Sequence, residues 1–463
     1  MRTHDVVIVG AGSGNAVVDD RFSHLDVAVV EEGPFGGTCL NRGCIPSKML
    51  VRVADLVDAV RDADRFGVRA RLSGVDWSAV RERVFGRLDR QAAEGEQGRR
   101  DAPNIEVLKG RARFTGDRTL TIGSGADAVT VRAEQVVVAV GSRPAVPPPV
   151  RDSGLPYETS DTVMRLDRPP RHLAVLGGGY IAAELAHVFH AAGSRITVIE
   201  QEDTLLSAQD EAIATAYTNI ASDRYDVRTG TALTRVEGEP GRLRLVLDDG
   251  TTVEADTLLV AVGRTPNSDR IDAGKAGIDL HDDGRIAVDA FQRTSAPGVF
   301  ALGDVSTPFP LKHVANREAQ VVAHNLLHPD DQVRTSHEAV PAGVFTHPQI
   351  AQVGRTERQC REENLDYAVS VRQFSDTAYG WALEDGTGFC KVLADRRTGQ
   401  LLGAHILGPQ AANLIQPLVI GMGFGIDAKA LAKTPLWIHP APTEVVSNAL
   451  LDLDLERGAD ARR

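Results

Sequence analysis

Two short stretches constrain this chain more than anything else in it. "DVVIVGAGSG" begins at Asp5 and "HLAVLGGGYIAAE" begins at His172. Each is a β-branched apolar run that ends on a cluster of glycines. A helical stretch is expected after each, and then a second strand, "DVAVVEE" or "SRITVIE". That order is the βαβ unit of a dinucleotide-binding domain, whose glycines let the chain turn and let a pyrophosphate approach backbone N–H groups. The unit occurs twice. It predicts an α/β fold with two Rossmann-like domains and two bound nucleotides.

The first turn carries Gly10 and Gly12 of the G-x-G-x-x-G pattern, but Asn15 stands in the third place, with Gly14 just before it. Asn15 is expected to loosen helix–strand packing without removing phosphate binding. Glu31, 21 residues after Gly10 at the end of the next strand, is placed to accept a ribose hydroxyl. The second turn has Gly177 and Gly179, with Ala182 in the permitted third place and Glu200 closing "ITVIE". A carboxylate there favours the free 2′-hydroxyl of NADH and repels a 2′-phosphate. The residues after it, "QEDTLLSAQD", offer no arginine.

At ~150 residues per domain, 463 residues make about three domains. "AEQVVVAVGSRPAVPPP" reads as a buried strand, a turn at Gly141 and a Pro-rich exit. "ADTLLVAVGRTPN", with Gly263 and Arg264, repeats it. From about residue 340, short strand patterns such as "GFCKVLAD" alternate with helical ones, which predicts a third, α+β domain.

Several function classes are excluded. The net charge of −12 argues against nucleic acid, which needs a basic footprint. No apolar run reaches the ~18 residues of a membrane span. The chain enters a strand at once, so no signal peptide is expected, and four cysteines are too few for a secreted disulfide framework. A cytoplasmic protein is expected.

Two of those cysteines, Cys39 and Cys44, sit together in "GGTCLNRGCIPSKML". A regular helix would separate positions i and i+5 by about 7.5 Å along its axis, and a disulfide needs Cα atoms within ~7 Å. If the two bond, residues 39 to 44 are partly unwound, which Gly36, Gly37 and Gly43 permit. Pro46 suits a first helical turn, which would set Cys44 at a helix N-terminus, where a thiol becomes a reactive thiolate. The residues alone leave three readings: a redox pair, two buried structural thiols, or half of a metal site. Cys360 and Cys390 stand isolated, so no metal site is expected. Near the other end, "WIHPAPTEVV" holds His439 and Glu444. A carboxylate on one imidazole nitrogen fixes the tautomer and leaves the other nitrogen to shuttle a proton.

Taken together, these features resemble the pyridine nucleotide–disulfide oxidoreductases, the class of glutathione reductase and lipoamide dehydrogenase. "GGTCLNRGCIPSK" matches that family's redox motif GGTCxNxGCxPSK, and "GGGYIAAE", "AVGRTPN", "ALGDV", "FTHPQIAQVG" and "HPAPTE" match its other landmarks in order, over essentially the whole chain. The resemblance implies FAD bound by residues 1–154 and a second, central segment 266–338, NAD(P)H bound by 155–265, and a dimerisation domain over 339–463. It implies that Cys39 is the interchange thiol and that Cys44 contacts the flavin. Lys48 is expected near the reactive flavin edge, paired with Glu184. Gly37, Thr38, Gly141 and Asp304 are expected to join the FAD site, and Gly263 and Arg264 the NAD(P)H site. His439, oriented by Glu444, is expected to reach the other subunit's cysteines in a homodimer.

Within the family, "GAGSGNAV", "SDTVMR", "IAAELAHVF", "PLKHVANREA" and "AYGWALED" are most similar to the branch that reduces mycothione, the disulfide of the sugar-linked thiol mycothiol. That branch is expected to use NADPH, with arginines where this chain has Glu200 and Gln201. The alternatives are a dihydrolipoamide dehydrogenase using NAD and, more remotely, a flavin-binding redox sensor without turnover. Tyr379 and Trp381, an aromatic pair in an otherwise polar loop, are candidates for binding the sugar part of the substrate.

Overall fold

The computed structural model describes residues 1–456, so residues 457–463 of the expected 339–463 segment lie outside the described residues. The first apolar run is the strand Arg2–Val9, buried from Val6 to Val9. It pairs in parallel with Val27–Glu31 on one side and Val129–Val138 on the other. Burial on both faces explains why these strands are runs of valine rather than an alternation. The strands Ile105–Lys109, Thr119–Ile122 and Ala112–Gly116 extend this sheet. Val299–Ala301, from far along the chain, adds to Val129–Val138, so "ALGDV" is delivered beside the first glycine turn.

The second unit is a five-stranded parallel sheet in the order Asp226–Arg228, Arg195–Ile199, His172–Leu176, Thr257–Val260, Glu158–Thr159. An antiparallel sheet of Leu233–Glu239, Arg242–Leu247 and Thr252–Ala255 caps it. The two similar exits meet: Ser142–Pro144 pairs antiparallel with Arg264–Pro266. The C-terminal part is a five-stranded antiparallel sheet, with Gln349–Gly354, Leu401–Gly408 and Phe389–Asp395 at its centre and helices such as Glu444–Leu451 against it. It is tied to the second unit by a buried ammonium. Lys391 Nζ lies 2.7 Å from Asp210 Oδ1 and 2.6 Å from Glu357 Oε2, so the charge enters the interior with its partners. No helix among the described residues is long and apolar enough to cross a membrane.

One expectation is corrected here. The first glycine turn is not followed by an α-helix. Only the 3₁₀ turns Gly14–Ala16 and Asp20–Phe22 separate it from the next strand, with Asp19 capping the second through the Arg21 N–H. Length is not the reason: this crossover, residues 10–26, is one residue shorter than the second, residues 177–194, which holds a 12-residue helix. Val17, Val18 and the neighbouring Asp19 and Asp20 favour short turns over a helix. The expected loosening at Asn15 is absent as well. Close packing is carried by Gly14, where a Cβ would stand 2.8 Å from the Ala139 side chain. Asn15 instead accepts a hydrogen bond from Arg99 Nε at 2.7 Å, and Arg99 also donates to the Asn15 and Val18 carbonyls. The guanidinium, on the long helix Trp77–Arg100, satisfies acceptors that a continuing helix would have satisfied internally.

Candidate active site

The cysteine segment breaks where the glycines allow it. A short helix, Gly37–Asn41, ends at Arg42, and a second helix, Cys44–Arg61, starts after Gly43 at φ −141°, ψ −117°. Cys44 is its first residue and Pro46 lies in its first turn, where the missing N–H costs nothing. The helix buries Leu50, Val51, Ala54 and Val57 along one face and packs that face on the helix Tyr180–Ala191 of the second unit. The redox segment is thereby clamped between the two nucleotide-binding units.

Both cysteines are free thiols in this structure. The two thiols act on each other, and unequally. Cys39 donates to Cys44, which brings the Cys44 thiol down to about 7; burial opposes this and the Lys48 ammonium assists. The same bond to Cys44, and then burial, pushes the Cys39 thiol well above its ordinary range. Within the dithiol the charge is therefore favoured on Cys44 and the proton on Cys39. By contrast, Cys360 and Cys390 are fully buried, and burial raises both, Cys390 to about 12. Those two are structural thiols.

Lys48, one helical turn beyond Cys44, meets Glu184 of the second unit at 2.6 and 2.7 Å. Glu184 is buried, also accepts the Phe345 N–H at 3.0 Å, and Lys48 stands 4.6 Å from the centre of the Phe345 ring. Residues from all three parts of the chain converge at this pair.

A cleft opens from the cysteines along the first glycine turn, lined by Gly10, Gly12, Gly37, Thr38, Lys48, Gly141 and Asp304. Gly10 has φ +107°, and a Cβ there would strike the Ala139 carbonyl at 2.3 Å. A Cβ on Gly37 would reach Gly12 Cα at 2.6 Å, so the two loops touch backbone to backbone. Glu31 accepts the Ala11 and Gly33 N–H groups, both at 2.7 Å, and pins the turn to the strand end. Asp304 accepts from the Ser142 hydroxyl at 2.7 Å and lies 3.9 Å from Arg264. Glycines with no room for side chains, a carboxylate at the strand end and a carboxylate beside a hydroxyl fit FAD. Arg264, assigned by resemblance to the nicotinamide nucleotide, lies in this first cleft and donates to Ser142.

The second turn repeats the first with its helix intact. Gly177 has φ +107°, a Cβ would meet the Ala261 carbonyl at 2.5 Å, and Gly179 precedes Tyr180–Ala191, which buries Ala182. Glu200 accepts the Gly178 N–H and, at 2.9 Å, the Glu202 N–H. A Cβ on Gly179 or Gly263 would meet only open space, which leaves their backbones accessible.

His439 and Glu444 form a dyad. Nδ1–H donates to Glu444 Oε1 at 2.6 Å, and the second carboxylate oxygen accepts the Ala441 N–H at 3.3 Å. Nε2 therefore carries the lone pair. The imidazole is 71% exposed and is not part of the lining around Cys39 and Cys44. Tyr379 and Trp381 lie in a short helix, Ala378–Leu383, rather than an open loop; Trp381 is exposed, with its indole N–H on the Ser375 carbonyl. Sequence reasoning missed Tyr180, Ser142, Arg42 and Lys312 in the cleft. Tyr180 carried a signal, since it directly follows the second glycine run.

Two family models match the chain. One, described as pyridine nucleotide-disulphide oxidoreductase, matches residues 4–323, and the dimerisation domain of the same description matches 340–450. A mycothione reductase from Mycobacterium tuberculosis is 49% identical over 98% of this chain and 100% of that protein. A dihydrolipoyl dehydrogenase from Halobacterium salinarum is 34% identical, covering 96% of this chain and 95% of that one. Among solved structures, the HOCl-induced flavoprotein disulfide reductase RclA from Escherichia coli, as a Cu(II) complex, aligns with a TM-score of 0.85 and 25% identity. The alignment covers 97% of this chain and 99% of that chain.

Proposed function

Because the chain belongs to the pyridine nucleotide-disulphide oxidoreductase family, a class of FAD- and NAD(P)H-dependent disulfide reductases, we propose that it reduces mycothione to mycothiol. The full-length 49% identity to a mycothione reductase carries this reading, against 34% for a dihydrolipoyl dehydrogenase. The domain division that goes with it is 1–154 and 266–338 for FAD, 155–265 for NAD(P)H and 339–463 for dimerisation. A cytoplasmic location is part of the same reading.

Bound FAD supplies the route by which reducing equivalents from the nicotinamide reach the cysteines. The remaining steps belong to side chains of this chain. In the dithiol, Cys39 holds the proton and Cys44 the charge. Cys39 must lose that proton to attack, and His439 Nε2, with its lone pair set by Glu444, is the base that takes it. The Cys39 thiolate attacks one substrate sulfur; a mixed disulfide forms on Cys39 and the other half leaves as a thiolate. His439, now an imidazolium, protonates it. Cys44, already ionised, attacks Cys39 sulfur, releases the second thiolate, and the Cys39–Cys44 disulfide forms. The two electrons lost by the dithiol are those gained by the substrate.

His439 is supplied by the other subunit of a homodimer in this reading. Its exposure and its absence from the cleft lining support that, as do the exposed apolar side chains that neighbour it in the chain: Leu436 is 100% exposed and Ile438 75%. Such a patch calls for a partner surface.

The first experiment is steady-state turnover of mycothione by the FAD-loaded enzyme with NADH and NADPH side by side, and lipoamide as control. Turnover of mycothione is expected, with kcat/KM for NADH at least about tenfold above that for NADPH, because Glu200 meets a 2′-phosphate with like charge. Turnover of lipoamide alone would reassign the substrate. Faster turnover with NADPH would remove Glu200 as the selector. A variant addresses the sugar end: Trp381→Ala is expected to raise KM for mycothione about 3- to 10-fold, the size of one aromatic contact, with kcat unchanged. An unchanged KM would remove Trp381 from the substrate site.

A further inference from the structure

A phosphate-binding glycine turn normally leads into an α-helix, whose dipole places about half a positive charge at the phosphate. The second turn of this chain does so, through the 12-residue helix Tyr180–Ala191. The first does not: it ends in the three-residue 3₁₀ turn Gly14–Ala16, and no α-helix intervenes before the strand Val27–Glu31. A diphosphate in the first cleft therefore meets backbone N–H groups without the field of a helix behind them.

A side chain from elsewhere stands at that place. Lys312, the first residue of the helix Lys312–Leu327, donates from Nζ to the Ser13 hydroxyl at 3.0 Å, across 299 residues of sequence. Ser13 lies within the first glycine turn. Lys312 lines the same cleft as Gly12, Gly37, Thr38 and Cys39. Two lysines line it, and they differ in charge balance. Lys48 is neutralised by Glu184 at 2.6 Å. Lys312, among the described residues, has no carboxylate within ion-pair distance. An ammonium that is half-buried, fixed by a neutral hydroxyl and unmatched by an anion of its own chain is suited to an anionic ligand. Its field also acts on Cys39, which it draws down against the effects that raise that thiol.

We propose that Lys312 binds the diphosphate of the flavin dinucleotide and supplies there the positive charge that the missing first helix does not. The inference rests on the first cleft holding FAD. Arg99 acts in a complementary way. It holds the non-helical segment in shape through the Asn15 and Val18 carbonyls but is not part of the cleft lining. Ser13 orients the ammonium.

The test compares FAD release from purified wild-type, Lys312→Met and Lys312→Arg holoenzymes, followed by flavin fluorescence at increasing KBr. It then compares rebinding of FAD and of riboflavin by the deflavinated full-length chains. Lys312→Met is expected to weaken FAD binding about 10- to 100-fold, as for loss of a hydrogen bond to a charged group. Its FAD affinity should depend less on salt, and Lys312→Arg should stay near wild type. Riboflavin, which lacks the diphosphate, should bind wild type and Lys312→Met equally. That equality also shows that the variant has kept its fold. Ser13→Ala should show a smaller loss in the same direction. Unchanged FAD affinity in Lys312→Met, or an equal loss for riboflavin, overturns the proposal while leaving the cofactor in place. A wild-type chain that takes up no FAD overturns the cofactor reading together with it.

Discussion

Replacing Cys39 by alanine is expected to lower mycothione turnover by at least about 10⁴-fold, because loss of a covalent nucleophile leaves only binding and electrostatic effects. The same change should leave a second mark that inactivation alone would not. In the dithiol, the Cys39 S–H is the largest influence holding Cys44 at about 7. Without it, burial still raises Cys44 and only Lys48 and the local backbone oppose that. The Cys44 titration should therefore move upward, toward the 9.0 of an ordinary thiol. The sign is definite. A thiolate appears as pH rises through the pKa, so at pH 7.5 the reduced wild type should be mostly thiolate at Cys44 and the Cys39→Ala protein mostly thiol. The 240 nm thiolate absorbance, or the rate of alkylation of Cys44 against pH, reads this directly. A variant that kept a step near pH 7 would show that the hydrogen bond between the cysteines does not control their asymmetry.

The second large effect concerns His439. His439→Ala is expected to reduce turnover about 10²- to 10⁴-fold, the usual range for loss of a general acid–base. The loss should fall on reaction with the disulfide and spare reduction of the enzyme by the nicotinamide, since no step before the dithiol uses the imidazole. Mixed dimers separate the two possible placements of the base. Neither Cys39→Ala nor His439→Ala homodimers should turn over. If the histidine serves the other subunit, a dimer with one chain of each kind contains one intact site: the cysteine pair of the His439→Ala chain and the His439 of the Cys39→Ala chain. Activity should return to about half of the wild-type value per mixed dimer. If the histidine served its own chain, no mixed dimer would contain an intact site and activity would not return. Glu444→Gln should lie between wild type and His439→Ala, because the amide can turn its carbonyl to Nδ1–H and keep the tautomer while losing the charge that steadies the imidazolium.

These two predictions draw on features of different legibility. The cysteine segment could be read locally. Three glycines, a proline two residues past Cys44 and a five-residue spacing are enough to predict a break followed by a helix that begins at Cys44, because each acts on φ and ψ within a few residues of itself. The two strand–glycine turn–strand repeats were legible for the same reason, though not the missing first helix: β-branched runs buried on both faces and a glycine at positive φ are conditions that neighbouring residues impose. The dyad was legible as a spacing, five residues around two prolines, and the structure joins it at 2.6 Å. Its location on an exposed face away from its own cysteines was not, since that depends on how the C-terminal sheet docks.

The amino-acid sequence by itself determined the α/β class, both glycine turns, the break between Cys39 and Cys44, and the family, since the local preferences all agree over the whole length. Tertiary structure alone decided the rest. It decided that the first crossover, although patterned like the second, runs through short 3₁₀ turns instead of an α-helix, and that Arg99 and Lys312 come to that turn from 84 and 299 residues away. It brought Lys48 to Glu184 across 136 residues and Arg264 to Ser142 across 122. The physical reason is common to all of these. A backbone dihedral is set by steric terms within a few bonds and leaves its trace in neighbouring residues. A charge far along the chain is chosen for a position that exists only once the sheets are formed, and nothing in its own neighbourhood records which partner it will meet.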